Sequence, residues 1–346
     1  MHLELVQNAL GRTNIKVTEL GFGGATLGNL YHEISEEEAA VTIHEALKSG
    51  INFLDTAPHY GVGLSERRIG DVLRSVKPDD YILSTKVGRI LKPDANVDVT
   101  KLRNSFLTPL PFTAEFDYTY DGIMRSYEDS LLRLGLAKVD VLLVHDIGVV
   151  THGDDNDRHI KDLTDSGYNA LDELRRNGDV GAIGVGVNEW EACEQAMDIG
   201  QFDCFLLAGR YTLLEQEPLN HFLPKCLEYG ASLIVGGAYN SGILAVGTRS
   251  GQPMHYNYEP ALEHIIKTVQ KIENVCDKYN VTLAAAALQF PLAHDAVATV
   301  VPGLSNTTQF EQTLKLYHEA IPAEFWQALK GNGLLLDHAP VPAGRS

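Results

Sequence analysis

Short apolar segments alternate with amphipathic helical segments along most of this chain, and this alternation constrains the fold more than any other feature. The segments predicted to be strands are 20–28, 51–55, 81–86, 139–144, 181–187, 202–207, 232–235 and 299–301. Helices are predicted over 39–47, 64–74, 121–134, 168–176, 190–199, 220–229, 261–279, 282–290 and 307–318, and Ser35 with Glu38 forms a capping box before the first. Strands of nearly continuous apolar character are typical of a parallel sheet covered on both faces.

The number of strands and the length of 346 residues favour a (β/α)₈ barrel, which needs about 250 residues plus loop insertions. A doubly wound sheet is the alternative, but it would place G-x-G-x-x-G after its first strand. None of GFGGATLG, GVGLSERRIG and GAIGVGVN has that spacing. No repeat or linker divides the chain, so residues 1–346 are expected to form one domain. A hairpin is predicted within residues 1–20, and long active-site loops over 87–120, 146–166 and 239–258.

Composition and charge exclude several classes of function. The formal net charge is −18 and no basic patch stands out, so binding to nucleic acid is not expected. No window approaches the run of about 20 apolar residues that a membrane span requires, and the N-terminus lacks the pattern of a signal peptide. The four cysteines form no C-x-x-C pair and are expected to be reduced thiols. We therefore expect a cytoplasmic protein.

Ionisable side chains stand at the carboxyl ends of three predicted strands, which converge on one mouth in a barrel. Asp55, Lys86 and His145 occupy these ends, and Tyr60 follows Asp55 in a loop. Singly, each has an ordinary structural explanation, such as a helix cap or a buried histidine. Together they fit proton transfer coupled to a second event. An ammonium could lower the phenol pKa of about 10, a carboxylate could hold that ammonium, and an imidazole could bond the substrate oxygen.

The order of these four residues, with the segments DTAPHYG and SERRIG and the strand LLVHD, resembles the aldo-keto reductase family over nearly the whole chain. The resemblance implies a barrel that binds a nicotinamide cofactor without a Rossmann motif and transfers hydride to or from a carbonyl carbon. It implies that Tyr60 is the acid/base, Lys86 lowers its pKa, Asp55 pairs with Lys86, and His145 orients the substrate oxygen. Asn188 matches the position that bonds the nicotinamide carboxamide.

The stretch VVPGLSNTTQFEQT after the last strand matches the segment in which NADP-preferring relatives place basic residues. It contains no Lys or Arg, so a 2′-phosphate would lack a charge-assisted partner and would face Glu311. NAD is therefore expected as the cofactor, with NADP less favoured, and oxidation as the direction. The residues expected to contact the cofactor, besides Asn188, are Gly24, Ser241, Gly242, Leu244, Gly303, Ser305, Gln309 and Gln312.

Two departures from the family pattern identify a branch. Ala208 stands where a carboxamide-binding Gln is common, and Gly236 or Gly237 where an aromatic ring stacks on nicotinamide. The segments LLAGRYTLL and GG-x-YNSGIL are similar to those of the branch that contains aldose 1-dehydrogenases and pyridoxal 4-dehydrogenases. This implies a small-molecule substrate that is a cyclic hemiacetal, either a sugar or pyridoxal. His59, Arg89 and Tyr239 are expected to line its site, and the oligomeric state stays open.

Three other hypotheses are weaker. An NADPH-dependent aldehyde or ketone reductase is disfavoured by the stretch without cations. A metal-dependent hydrolase using Asp55, His59, His145 and Asp146 is disfavoured because the first strand offers no ligand and Lys86 would repel a cation. A non-catalytic subunit that only binds cofactor is disfavoured because all four catalytic positions are filled.

Overall fold

A computed structural model describes residues 5–343, in which eight parallel strands form the central sheet. In chain order these barrel strands are Phe22–Gly23, Phe53–Asp55, Ile82–Val87, Val141–His145, Ala182–Val187, Cys204–Ala208, Ser232–Gly236 and Val297–Val301. Each strand pairs with the next one in this order, from the first to the eighth. Parallel bridges from Leu20 to Val300 and from Gly23 to Gly303 then join the first strand to the last. The predicted (β/α)₈ barrel is confirmed.

Helices follow the strands and cover the outside of the sheet. The main ones are Glu36–Lys48, Leu64–Leu73, Tyr120–Leu134, Tyr168–Asn177, Trp190–Met197, Phe222–Tyr229, Glu263–Tyr279, Leu283–Gln289, Thr307–His318 and Ala323–Gly331. The first has the predicted capping box, in which the Ser35 hydroxyl accepts from the Glu38 amide and the Glu38 carboxylate accepts from the Ser35 amide. The last, Ala323–Gly331, lies beyond 307–318, the last helix predicted from the sequence. No helix in residues 5–343 is long and apolar enough to cross a membrane.

The first barrel strand is much shorter than predicted. Only Phe22–Gly23 is extended, and the chain then turns into the 3₁₀ segment Thr26–Gly28. The turn brings the backbone of Gly28 against the loop that carries Tyr60. A Cβ atom at Gly28 would lie 2.5 Å from the Tyr60 carbonyl carbon, so only glycine fits here. Most of the apolar run 20–28, which was predicted to be a strand, therefore supports the loop that carries Tyr60.

The three connections predicted as long loops contain regular structure. Arg89–Pro93 pairs antiparallel with Phe112–Phe116 directly after the third barrel strand. Residues 146–166 include the helices Val149–His152 and Asn156–Asp162 and most of the π-helical turn Leu163–Gly167. Within 239–258 lies the single turn Ile243–Val246, and residues 255–260 form a small hairpin. These elements surround the carboxyl ends of the strands.

The opposite end of the barrel is closed by the predicted N-terminal hairpin, which pairs Gln7–Ala9 with Lys16–Thr18. Leu10 and Val17 are fully buried and join the side chains that fill the barrel interior. The Gly11 amide donates to the Ser232 hydroxyl at 2.8 Å, which ties the hairpin to the start of the seventh strand. With this end plugged, the carboxyl end is the face that can hold a ligand.

Candidate active site

The second and third barrel strands bring Asp55 and Lys86 into a buried ion pair. The Lys86 side chain is 1% exposed, and Nζ donates to the two Asp55 carboxylate oxygens at 2.9 and 2.8 Å. Lys86 Nζ donates its third hydrogen bond to the Thr56 carbonyl at 2.9 Å. The Ser84 hydroxyl also donates to Asp55 Oδ1 at 2.9 Å. Burial raises the pKa of Asp55, and Lys86 and Ser84 oppose that shift because they stabilise the carboxylate.

Tyr60 lies above this pair. Its ring centroid is 4.8 Å from Lys86 Nζ. Burial raises the pKa of the Tyr60 phenol well above its usual value, the Asp55 carboxylate raises it further, and Arg89 is a cation that opposes the rise. This net direction is opposite to the lowering that sequence reasoning expected from Lys86. Burial of the phenol is the largest cause of this rise, and sequence spacing does not reveal how deeply the phenol is buried.

His145 ends the fourth strand next to Tyr60. The two rings are perpendicular, with centroids 6.1 Å apart, and the His59 ring lies 5.9 Å from His145 on another side. The His145 carbonyl accepts from the buried Tyr118 hydroxyl at 2.7 Å, which fixes the strand end. Burial lowers the pKa of His145 well below its usual value, and Arg89 and Lys86 lower it further. His145 is therefore a neutral imidazole at physiological pH.

Arg89 lies beside these rings and pairs with Asp146. Arg89 Nη2 donates to Asp146 Oδ2, and the two side chains are 11% and 18% exposed. The same carboxylate oxygen is 3.5 Å from His145 Nε2. Burial, with Arg89 and Lys86, lowers the pKa of His59 to about 3. The described structure thus brings Asp55, Lys86, Tyr60, His145, His59 and Arg89 to one end of the barrel.

Of the residues expected to bind the cofactor after the eighth strand, Gly303, Gln309 and Gln312 are exposed and Ser305 is buried. Gly303 is exposed, and the Ser305 amide donates to the Gln309 side chain at 3.0 Å. Gln312 is exposed on the helix Thr307–His318. The Ser305 hydroxyl is buried and has no hydrogen-bond partner within residues 5–343. This group is therefore free to bond a ligand.

The other expected cofactor residues differ in their accessibility. Asn188 is half-buried at the end of the fifth strand, and the space around Gly242 is open. The Gly24 amide donates to the Asp55 carbonyl at 2.7 Å, so Gly24 holds the second strand in place. The Leu244 side chain lies in the core and its amide donates to the Tyr239 carbonyl. Neither of these two backbones offers a free amide.

Three residues near the site were not predicted to belong to it. Tyr118 supports the His145 backbone, and Asp146 was expected here only as a metal ligand of the hydrolase hypothesis. Tyr258, on the 255–260 hairpin, reaches the Asn188 side chain, and its amide donates to Ser241 Oγ at 2.9 Å. No local pattern marks Tyr258, because its neighbours are distant in sequence.

Tyr239, expected to line the substrate site, is half-buried and its hydroxyl has no partner among the described residues. Within the same part of the chain, no three His, Cys, Asp or Glu side chains converge in a way that could hold a metal ion. The ligand set of the hydrolase hypothesis does not form, since Asp55 is engaged by Lys86.

Comparison with known proteins gives the same result as the fold. A model of the aldo/keto reductase family matches residues 19–332. A pyridoxal 4-dehydrogenase of Microbacterium luteolum is 42% identical over 97% of this chain and 100% of its own length. A D-threo-aldose 1-dehydrogenase of a Pseudomonas species is 36% identical over 93% of this chain and 95% of its own.

Among solved structures, the holo form of an aldo-keto reductase from Bacillus halodurans is similar along almost the whole chain. The TM-score is 0.73 at 26% identity, covering 98% of this chain and 99% of that one. The family match, the two relatives and the closed barrel agree. This chain belongs to the aldo/keto reductase family of oxidoreductases.

Proposed function

We propose that this chain is an NAD-dependent dehydrogenase that oxidises a cyclic hemiacetal, either an aldose or pyridoxal, to its lactone. The observation that carries the proposal is the meeting of Tyr60 and His145 above the buried Asp55–Lys86 pair. The two relatives, a pyridoxal 4-dehydrogenase and a D-threo-aldose 1-dehydrogenase, support the substrate class. Both substrates present a hydroxyl and a C–H bond on one ring carbon, so one chemistry serves either.

The residues present fit a bound dinucleotide. The buried Ser305 hydroxyl without a partner is available to a ligand oxygen, and the space beside Gly242 lets a ligand approach the backbone. Asn188, Ser241, Gly242, Gly303, Ser305, Gln309 and Gln312 would hold the cofactor. When bound, NAD would supply the hydride acceptor, a ring that carries positive charge.

The preference for NAD is supported by the charge around the last helix. A groove beside the N-terminus of helix Thr307–His318 is lined by Glu37, Glu38, Asn306 and Gln309, among others. No Lys or Arg is among the described residues that line it. A phosphate dianion there would forgo a charge-assisted bond and would meet carboxylates.

Tyr60, His145 and the Asp55–Lys86 pair would each have a separate role in the oxidation. Tyr60, as the phenolate, would take the proton of the hemiacetal hydroxyl while hydride leaves the same carbon. His145 is neutral because burial lowers its pKa, and it would donate its N–H to the substrate oxygen without competing for the proton. The Asp55–Lys86 pair would hold the Tyr60 ring in position, because the ring packs against Lys86 Nζ. Since burial raises the Tyr60 pKa, the rate of oxidation is expected to rise with pH.

Absorbance at 340 nm tests the proposal with NAD or NADP and a panel of L-fucose, D-arabinose, D-galactose and pyridoxal. NADH formation with one of them, at a kcat/KM well above that with NADP, is the expected result. Equal use of NADP would contradict the cofactor preference. No reduction of either cofactor by any member of the panel would contradict the substrate class.

A further inference from the structure

One partly buried acid at the barrel mouth has no part in the chemistry described above. Asp146 follows the fourth strand with φ 52°, and its amide donates to the Gly186 carbonyl at 2.8 Å. A left-handed backbone at a residue other than glycine persists only where its surroundings hold it. The backbone of Asp146 is therefore held in place by the barrel.

Arg89 holds the Asp146 side chain from one side. Arg89 Nη2 donates to Asp146 Oδ2, and the guanidinium carbon lies 4.3 Å from the Phe116 ring centroid. Arg89 Nε is buried without a hydrogen-bond partner among the described residues. A buried ion pair is stable only when its remaining donors and acceptors are also satisfied. This pair leaves donor and acceptor capacity for a ligand.

Asp146 also faces the reacting groups. Its Oδ2 is 3.5 Å from His145 Nε2, so the carboxylate lies beside the nitrogen that would donate to the substrate oxygen in the tautomer with its proton on Nε2. The negative charge of Asp146 acts on the phenols of Tyr60 and Tyr258. The contacts of the carboxylate with Arg89 and His145 both use Oδ2, which leaves Oδ1 able to accept another hydrogen bond.

We infer that Asp146, held by Arg89, accepts a hydrogen bond from a substrate hydroxyl on the carbon next to the reacting carbon. This inference rests on the proposed function and adds a choice of substrate. Neighbouring oxygens of a sugar ring are about as far apart as two hydrogen-bonded atoms, so a group that shares Nε2 with the reacting oxygen can reach the adjacent one. An alcohol can only donate to a carboxylate, whereas an ionised phenol such as that of pyridoxal is repelled by it. The site therefore selects neutral polyhydroxylated hemiacetals.

The test combines a substrate change with an enzyme change. The kcat/KM of wild type and Asp146→Asn is measured with NAD, an accepted sugar and its 2-deoxy analogue. We expect wild type to prefer the sugar by about 10- to 100-fold, as loss of a charge-assisted hydrogen bond implies. We expect Asp146→Asn to lose more on the sugar than on the 2-deoxy compound, by about the factor that separates the two substrates in wild type, because the 2-deoxy compound makes no bond to lose.

Asp203→Asn is the matched control. Asp203 forms a comparably buried pair with Arg175 at 2.9 Å, with side chains 12% and 19% exposed, at the opposite end of the barrel. Asp203→Asn is expected either to lower kcat/KM equally for the sugar and the 2-deoxy analogue or to leave both values unchanged. The wild-type comparison does not depend on the folding of any variant.

Three outcomes would overturn the inference while the proposed function stands. These are equal wild-type kcat/KM for the sugar and the 2-deoxy analogue, equal losses on both in Asp146→Asn, and turnover of pyridoxal alone. Absence of NADH with every hemiacetal would instead overturn the proposed function itself.

Discussion

Replacing Asp55 by Asn is expected to destabilise the protein as well as inactivate it. The substitution leaves the ammonium of Lys86, which is 1% exposed, without the carboxylate that now accepts two of its three hydrogen bonds. Removing one partner of a buried ion pair costs about 3–5 kcal/mol. With an unfolding entropy of about 2.1 cal/mol/K per residue, a chain of 346 residues should lose about 4–7 °C in Tm.

The double variant Asp55→Leu with Lys86→Met separates this cause from a packing defect. It removes both charges, so it is expected to recover most of the lost stability while staying inactive. Asp71→Asn serves as a control, because Asp71 pairs with Arg74 on the surface, where both side chains are about half exposed. That variant should change stability by less than about 1 kcal/mol.

Thermal unfolding followed by near-ultraviolet circular dichroism, with urea unfolding as a second measurement, gives the comparison. The reasoning would be refuted by an Asp55→Asn protein as stable as wild type. It would equally be refuted by a double variant no more stable than the single one, since the loss would then not come from an unpaired charge.

Two further predictions follow from the loop that carries Tyr60. Gly28→Ala should lower kcat/KM at least about 10-fold, because its Cβ would lie 2.5 Å from the Tyr60 backbone and displace the ring, and misplacement near 1 Å is costly in catalysis. Gly331→Ala is the control and should keep activity, because nothing lies within 4 Å of the new atom. His59 has its pKa lowered to about 3, against about 6.5 when unfolded, so the unfolded chain binds more protons between those values and stability is lost as the pH falls. His59→Gln should therefore reduce the acid-side slope of unfolding free energy by up to about 1.4 kcal/mol per pH unit, and an unchanged slope in urea titrations from pH 7 to 4 would contradict this.

Much of the barrel can be predicted because its signals are local. The Ser35–Glu38 capping box marks a helix start within four residues, and both of its hydrogen bonds form. Apolar runs of five or six residues mark most strands, since a strand covered on both faces has no polar side. The meeting of Asp55 and Lys86 follows from their places at the ends of neighbouring strands.

Other features depend on contacts between segments far apart in sequence. The first strand ends early because Gly28 packs against the Tyr60 backbone, which a glycine-rich run does not reveal. The pairing of Arg89 with Asp146 spans 57 positions, and the register of the hairpin that carries Arg89 is set across a long connection. The upward shift of the Tyr60 pKa could not be predicted from spacing, because it depends on how deeply the phenol is buried and on the charges of Asp55, Asp146 and Arg89 around it.

The central claim is that Tyr60 moves the proton during oxidation of a hemiacetal by NAD. Its most direct test is the rate of NADH formation by Tyr60→Phe, with NAD affinity measured separately by calorimetry. Tyr127→Phe is the matched control, because the Tyr127 phenol bonds the Asp179 carbonyl at 3.4 Å near the opposite end of the barrel. The account predicts that Tyr60→Phe loses at least about 100-fold in kcat with NAD binding unchanged, whereas Tyr127→Phe keeps its rate. A Tyr60→Phe enzyme that turns over at a near-wild-type rate would contradict it.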